Sequence, residues 1–69
     1  MPISARNQID GTIKSIKRGP VNSEVIVSLA GDQTVVAIIT LESVKRLNLK
    51  KGMRVKAVIK ASDVMIATD

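Results

Sequence analysis

The sequence predicts a small, mainly β domain in which five strands form a barrel and one short helix lies between the third and fourth strands. Nine Val and nine Ile residues against four Leu favour strands over helices. Apolar side chains recur at every second position in several separate runs, which is the periodicity of half-buried strands. The 69 residues suffice for one core, so we expect a single domain, residues 1–69.

The first strand is predicted over residues 9–17, IDGTIKSIK, where Ile9, Gly11 and Ile13 share one face. A glycine inside a strand is typical of a bulge, a barrel bend or a closely approaching backbone, and Gly11 predicts one of these. Gly and Pro interrupt the pattern in RGPVNS, so residues 18–23 are predicted to form a connection.

The second strand, EVIVSLAGD, places Val25, Val27 and Leu29 on one face and ends in a turn signal, Gly-Asp. The third run, TVVAIIT, shows no alternation, as in a strand covered on both faces. Because so small a domain cannot cover both faces by itself, we expect one face of this strand to meet another subunit.

The period changes after Thr40, where Val44 and Leu47 stand at helical spacing. Thr40 is a suitable N-cap, and the Lys-Lys-Gly at residues 50–52 supplies a stop. Alternation returns in MRVKAVIK, and VMIAT is predicted to be the fifth strand. This order of elements is typical of the oligonucleotide/oligosaccharide-binding barrel, although a loose sandwich of the same strands fits the pattern too.

The composition excludes several kinds of chemistry. The chain has no Cys and no His, so disulfides, thiolate or imidazole metal ligands and His- or Cys-based nucleophiles are excluded. The carboxylates are predicted to be solvated, and we expect no enzyme activity; they are Asp10, Glu24, Asp32, Glu42, Asp63 and Asp69. No apolar run follows Met1 and none approaches the length of a membrane span, so the expected location is the cytoplasm.

The net charge of +5 predicts an anionic partner: nucleic acid, an acidic membrane surface or a small oxyanion. Single-stranded nucleic acid is usually held by stacking bases on aromatic rings, and the chain has no Phe, Tyr or Trp. The basic pairs are better interpreted as solvated charges; they are Lys17-Arg18, Lys45-Arg46 and Lys50-Lys51. A basic barrel that binds nucleic acid remains the alternative function.

Two cation–hydroxyl pairs are the candidate oxyanion donors. Ser4 and Arg6 are two residues apart near the start of the chain, and Lys60 and Ser62 repeat that spacing after the fourth strand. Their charge and hydroxyl groups, with neighbouring backbone N–H groups, suit a tetrahedral oxyanion held away from water. The alternatives are ordinary strand-end polarity and, for residues 4–8, a frayed leader.

Four fragments read together resemble the molbindins, the free-standing molybdenum-pterin-binding or Mop domains. They are SARNQ, IT before ESVKRLNL, VIKASDVMIA, and GPVNSEV, which is similar to the GAVNAEV connection of that family. Related copies occur in molybdate-transport ATPases and in a molybdate-responsive transcription regulator. The resemblance extends over essentially the whole chain, and the co-occurrence of the fragments is more specific than any one of them.

The resemblance implies a barrel of the type above that assembles into a homo-hexamer, a trimer of dimers, and holds molybdate or tungstate between subunits as a cytoplasmic store. It implies a first binding site with contributions from more than one subunit: Ser4, Ala5, Arg6, Ser43, Lys60, Ala61 and Ser62. It implies no cation ligand and no membrane. We expect no organic cofactor, since the chain has no aromatic ring on which a pterin could stack.

A second class of site in that family is lined largely by main chain, and the matching positions here are Gly19, Val21 and Asn22. Pro20 stands where the family often has alanine and lacks a backbone N–H, which weakens this second prediction. A third possible function is a regulatory module that acts through a protein partner. Selection of molybdate over sulfate, which has the same charge, would depend on cavity size and on fixed donor geometry.

Overall fold

The computed structural model describes residues 2–69, and its centre is a curled four-stranded antiparallel sheet with strand order β3-β2-β1-β4. The elements, in chain order, are β1 (Asn7–Arg18), β2 (Asn22–Ser28), a 3-10 turn (Ala30–Asp32), β3 (Thr34–Thr40), α1 (Leu41–Arg46), β4 (Arg54–Ile59) and a second 3-10 turn (Ala61–Asp63). The prediction of a mainly β fold with one short helix between the third and fourth strands is confirmed.

The long strand β1 curls the sheet because its two halves have different partners. Its first half pairs with β4, from Asn7 opposite Ile59, and its second half pairs with β2, ending with Arg18 opposite Ser23. The register shifts just after Ile13, where the strand passes from one partner to the other. An extra residue in one strand bends it and increases its twist, and the shift therefore lets one strand serve both halves of the curl.

Gly11 lies at a close approach of β1 and β2. A Cβ built on Gly11 would stand 2.5 Å from Cγ1 of Val27 and 2.7 Å from the carbonyl oxygen of Ser28. The glycine predicted a bulge, a barrel bend or a closely approaching backbone, and the closely approaching backbone is the one found. The irregularity in the register of β1 lies elsewhere, after Ile13.

The core is formed by Ile13 of β1, Val25 and Val27 of β2, and Val44 of α1, all at most 4% exposed. The helix begins as predicted at Thr40, whose Oγ1 accepts a hydrogen bond from the Ser43 N–H at 3.0 Å. It ends at Arg46, earlier than the predicted stop at residues 50–52. The chain turns there because Asn48 adopts φ 54°, the left-handed conformation typical of a helix end.

The prediction of five strands is wrong for the single chain, which has four within residues 2–69. The predicted fifth strand, VMIAT, pairs with no strand here, and Met65 and Ile66 are 92% and 86% exposed. A strand is stabilised by hydrogen bonds to a neighbouring edge, and this segment has no such neighbour in its own chain. The outer edges of β3 and β4 are unpaired, so the barrel is half closed.

The two-sided burial predicted for β3 is also absent from the single chain. Its residues alternate between half-buried and exposed, and the outward side chains Val36 and Ile38 are 56% and 62% exposed. The unbroken apolar run thus leaves an apolar outer surface on β3. No helix within residues 2–69 is long and apolar enough to cross a membrane.

Candidate oxyanion-binding site

Two polar segments meet at one end of the β1–β4 ladder. The last pair of this ladder joins Asn7 to Ile59, so Arg6 directly precedes it on one strand and Lys60 directly follows it on the other. Ser4 and Ala5 continue the first segment, and Ala61 and Ser62 continue the second. Six of the seven residues predicted for the first site therefore lie in two segments that leave the same end of the sheet.

The second segment turns sharply as soon as it leaves β4. Lys60 has extended backbone angles, and its carbonyl accepts a hydrogen bond from the Asp63 N–H at 2.9 Å. The next bond of the turn runs from the Val64 N–H to the Ala61 carbonyl at 3.3 Å. This single turn places Ala61 and Ser62 directly beyond the strand end.

Two side-chain amides hold the first segment, and neither of them is among the residues predicted for the site. The Nε2 of Gln8 donates to the Ala5 carbonyl at 3.0 Å, and the Nδ2 of Asn7 donates to the Ile59 carbonyl at 3.2 Å. The only sequence signal for these residues is that both belong to the SARNQ fragment.

The electrostatics of this end of the sheet favour an anion. Arg6 and Lys60 are both exposed and have no carboxylate partner within residues 2–69, where the one ion pair joins Lys56 to Asp10 at 2.7 Å. Like charges on neighbouring strands repel each other, and an anion between them would remove that repulsion. Apart from half-buried Ala5, the residues of the two segments are exposed, so one chain alone does not enclose the site.

Ser43 is not brought together with these six residues. It lies in the first turn of α1, which is held at the opposite end of β1 by a hydrogen bond from the Leu41 N–H to the Val21 carbonyl at 2.7 Å. The neighbouring Val44 packs with Ile13 in the core, and Ile13 is seven residues from Arg6 along the chain, a contour of roughly 23 Å at about 3.3 Å per residue. The hydroxyl of Thr40 also donates to the Ser43 Oγ at 2.9 Å.

The residues predicted for the second site lie in and beside the connection between β1 and β2. The Gly19 N–H donates to the Asn22 carbonyl at 2.9 Å, and the Val21 carbonyl accepts the bond from α1. Pro20 has no N–H to offer. The three residues are close together, but the Gly19 N–H is engaged within the connection.

The arrangement offers cations, hydroxyls and backbone N–H groups, which are donors to oxygen atoms of an anion. Within residues 2–69, no group of three or more Asp and Glu side chains could hold a metal cation. The chemistry supported by these two segments is therefore the reversible binding of an oxyanion.

Comparison with known proteins establishes the family. Residues 3–66 match the TOBE domain. This chain belongs to the TOBE-domain family. The domain is 46% identical to molybdenum-pterin-binding protein 1 of Clostridium pasteurianum over 66 residues, which are 96% of this chain and 97% of that protein. The predicted resemblance to the molybdenum-pterin-binding proteins is thereby confirmed.

Two solved structures share the fold over almost the whole of this chain. The TOBE domain is similar to MopII from Clostridium pasteurianum, with a TM-score of 0.91, 43% identity and coverage of 97% of this chain and 100% of that one. It is also similar to the cytoplasmic molybdate-binding protein ModG with molybdate bound: the TM-score is 0.89, the identity 45%, and the coverage 94% of this chain and 46% of that one.

Proposed function

We propose that this protein binds molybdate or tungstate as an intact oxyanion, without catalysis, and stores it in the cytoplasm. The observation that carries the proposal is the meeting of Ser4–Arg6 and Lys60–Ser62 at one end of the β1–β4 ladder. These two segments bring two cations, neither of them in an ion pair within residues 2–69, and two hydroxyls to one place. The sequence of the chain also aligns over almost its full length with that of a molybdenum-pterin-binding protein. No organic cofactor belongs to the proposal.

The donor set explains why the ligand is a small tetrahedral dianion. Arg6 and Lys60 supply a charge of +2, which balances the charge of molybdate, and Ser4 and Ser62 donate to the remaining oxygens. Charge-assisted hydrogen bonds contribute about 1.5–3 kcal/mol each when water is excluded. Sulfate carries the same charge, so discrimination depends on how rigidly the donors are held at the spacing of the larger ion.

The position of Ser43 supports a site between subunits. This residue belongs to the same predicted ligand set, yet in its own chain it lies on α1, which packs on the middle of β1 rather than on the strand end beside Arg6 and Lys60. If all seven residues contact one anion, the Ser43 hydroxyl comes from another copy. A second copy also supplies the cover that the exposed segments need, because an anion is held strongly only where water is excluded.

The exposed apolar surfaces support association between copies, and the proposed form, taken from the resemblance, is a homo-hexamer built as a trimer of dimers. A groove of about 390 Å³ lies between the open edges of the sheet and is lined mostly by apolar side chains, including Val35, Ala57 and Ile59. The apolar stretch 64–66 is exposed and follows the 3-10 turn after β4. Full burial of each of its three side chains would stabilise an assembly by about 1.5–3 kcal/mol. We propose that this stretch forms its strand with another copy.

The proposed second site comprises Gly19, Val21 and Asn22. Since Pro20 lacks an N–H and the Gly19 N–H is engaged with Asn22, this connection offers few main-chain donors. The proposal therefore gives the second site a lower affinity than the first, and a binding isotherm with two separate phases would reveal it.

Isothermal titration with molybdate, with sulfate as the competitor control, tests the binding function. The oligomer mass is measured on the same sample by light scattering with refractive-index detection, because the chain has no aromatic absorbance. Tight molybdate binding and weak sulfate binding by a particle of six chains are expected. A folded protein that binds neither anion but shifts RNA or DNA at physiological salt would refute the proposal in favour of a nucleic-acid module.

Three single variants test the residues of the first site. Arg6→Ala and Lys60→Ala should each weaken molybdate binding by more than about 1.5 kcal/mol, since each removes a charge-assisted hydrogen bond. Lys50→Ala, which removes an exposed cation from the loop after α1, is the matched control and should change little. Equal molybdate affinity in all three variants would show that the anion binds elsewhere.

Two deletions separate binding from assembly. Removal of residues 1–7 should abolish binding at the first site while the β signal in circular dichroism persists, because the deletion takes only the first residue of β1, Asn7, and the core begins at Ile13. Removal of residues 64–69 should lower the oligomer mass, because it removes the exposed apolar stretch. A hexamer that persists without residues 64–69 would exclude that stretch from the interface.

A further inference from the structure

Two residues of the SARNQ fragment have no place in the proposed ligand set, and both make side-chain hydrogen bonds at the site. Asn7 and Gln8 each donate a side-chain amide hydrogen to a main-chain carbonyl. Within the part of the chain that the structure describes, three hydrogen bonds join a side chain to the backbone, and these two lie beside Arg6 and Lys60.

Gln8 closes the first segment on itself. Its Nε2 donates to the Ala5 carbonyl at 3.0 Å across three residues, so residues 5–8 form a small loop whose ends are tied. Residue 8 is already fixed by the ladder, where it pairs with Val58 of β4. The bond therefore ties the Ala5 backbone to a residue that is held by the ladder. It restricts the backbone of Arg6, which lies between the two tied residues.

The same bond fixes the direction of one peptide group. No cis peptide bond occurs within residues 2–69, so the N–H of Arg6 points opposite to the Ala5 carbonyl in the same peptide plane. Because Gln8 donates to this carbonyl, the exposed hydrogen bond opposes rotation of the carbonyl oxygen towards a bound anion. A carbonyl oxygen facing an oxyanion would repel it, and this bond disfavours that arrangement.

Asn7 links the first segment to the second. Its Nδ2 donates to the Ile59 carbonyl at 3.2 Å, one residue after Arg6 and one residue before Lys60. The side chain is half-buried, so the bond is partly shielded from water. This bond fixes the distance between the backbones that carry the two cations.

We propose that Asn7 and Gln8 are positioning residues of the oxyanion site, which hold Ser4–Arg6 and Lys60 at a fixed spacing before the anion arrives. This inference rests on the proposed function, since it assigns a role at the same site. Neither amide contacts the anion. Their effect is to remove the entropic cost of ordering the donors, and a fixed spacing favours the ion whose size matches it.

Gln8→Met tests the first half of the proposal. Methionine keeps the length of the side chain and removes its hydrogen-bond donor. Gln33→Met is the matched control, because Gln33 is equally exposed and its side chain makes no hydrogen bond within the part of the chain that the structure describes. Asn7→Ala tests the second half.

The measurements are molybdate and sulfate titrations and backbone ¹⁵N relaxation of residues 5 and 6 in the anion-free protein. For Gln8→Met we expect molybdate affinity to fall by about tenfold or more, the magnitude typical of residues that orient ligands. The ratio of molybdate to sulfate affinity should fall as well, and residues 5 and 6 should become more mobile. Asn7→Ala should lower the same ratio, and Gln33→Met should change none of these quantities.

The outcomes separate this inference from the proposed function. If wild type binds molybdate and Arg6→Ala weakens it, but Gln8→Met and Asn7→Ala leave the affinity and the ratio unchanged, the positioning role is wrong and the site stands. Equal loss of affinity for both anions, with fewer sites per chain and a lower melting temperature, would mean a purely structural role and would also overturn the inference. No molybdate binding by wild type would overturn both proposals.

Discussion

Replacement of Gly11 by alanine should destabilise this protein strongly, although alanine is the better residue for most strands. The added Cβ would lie 2.5 Å from Cγ1 of Val27, 2.7 Å from the Ser28 carbonyl oxygen and 3.1 Å from Cδ2 of Leu29. Carbon atoms in contact normally stand about 3.5–4.0 Å apart, so a displacement of roughly 1 Å is required.

The atoms around Gly11 cannot easily move apart by this distance. Val27 is 4% exposed and belongs to the core, and the Ser28 carbonyl is part of the β2 backbone. On its other side, Gly11 pairs with Val55 of β4. The β1 backbone is thus held by one strand while the new methyl group presses against another.

The magnitude follows from two opposing effects. Overpacking of a core costs about 1–3 kcal/mol, and the upper end applies because a backbone atom is among the obstacles. Alanine recovers about 0.5–1 kcal/mol of the conformational entropy that glycine loses in a strand. The net loss is about 2 kcal/mol, which in a domain of this size lowers the melting temperature by about 8–16 °C.

Thermal unfolding followed by far-ultraviolet circular dichroism at several protein concentrations measures this loss, since association changes the apparent stability. Gly31→Ala is the comparison: within residues 2–69 no atom lies within 4 Å of the place that its Cβ would occupy, so its cost comes from backbone strain at φ 73° alone, about 1–3 kcal/mol. A melting temperature of Gly11→Ala equal to or above that of wild type would refute the argument from close approach.

Three further predictions concern polar groups. Ser23→Ala should stabilise the protein by about 1 kcal/mol, because Ser23 is 2% exposed and its hydroxyl has no hydrogen-bond partner among residues 2–69; Ser15→Ala, at an exposed strand position, should be neutral in the same melts. Thr40→Ala should cost about 1 kcal/mol in urea unfolding by removing the helix cap, and Thr40→Ser should restore it. The hydrogen bond from Lys56 lowers the pKa of Asp10, so the carboxylate stabilises the fold above about pH 4 and this stability is lost as the pH falls through the lowered value. Asp10→Asn should therefore unfold with a weaker dependence on acid pH than wild type, and identical pH profiles would contradict the assignment.

Local patterns in the sequence were sufficient to predict the four strands, the cap at Thr40 and the inward positions Val25 and Val27. Each depends on neighbours a few residues away, through side-chain alternation or a single hydrogen bond. The fifth strand could not be predicted in the same way. Its apolar residues 64–66 satisfy the pattern, but a strand also requires an edge to pair with, and its own chain offers none at that place.

The candidate oxyanion site was likewise predictable from the sequence only in part. Ser4, Arg6, Lys60 and Ser62 could be selected from the sequence because each pair has the spacing and the chemistry of oxyanion donors. The roles of Asn7 and Gln8 could not, because an amide in a polar fragment has many possible partners until the fold brings a carbonyl to it.

By itself, the sequence determined four strands, the short helix and the absence of Cys and His chemistry, and it predicted an anionic partner, because all of these depend on residue type and local spacing. Only the tertiary structure decided which distant segments meet. The antiparallel pairing of β1 with β4 brings Arg6 beside Lys60, more than fifty residues later, while the packing of α1 on Ile13 places Ser43 nearer the middle of β1. Contacts across such separations depend on strand register, which no local pattern specifies.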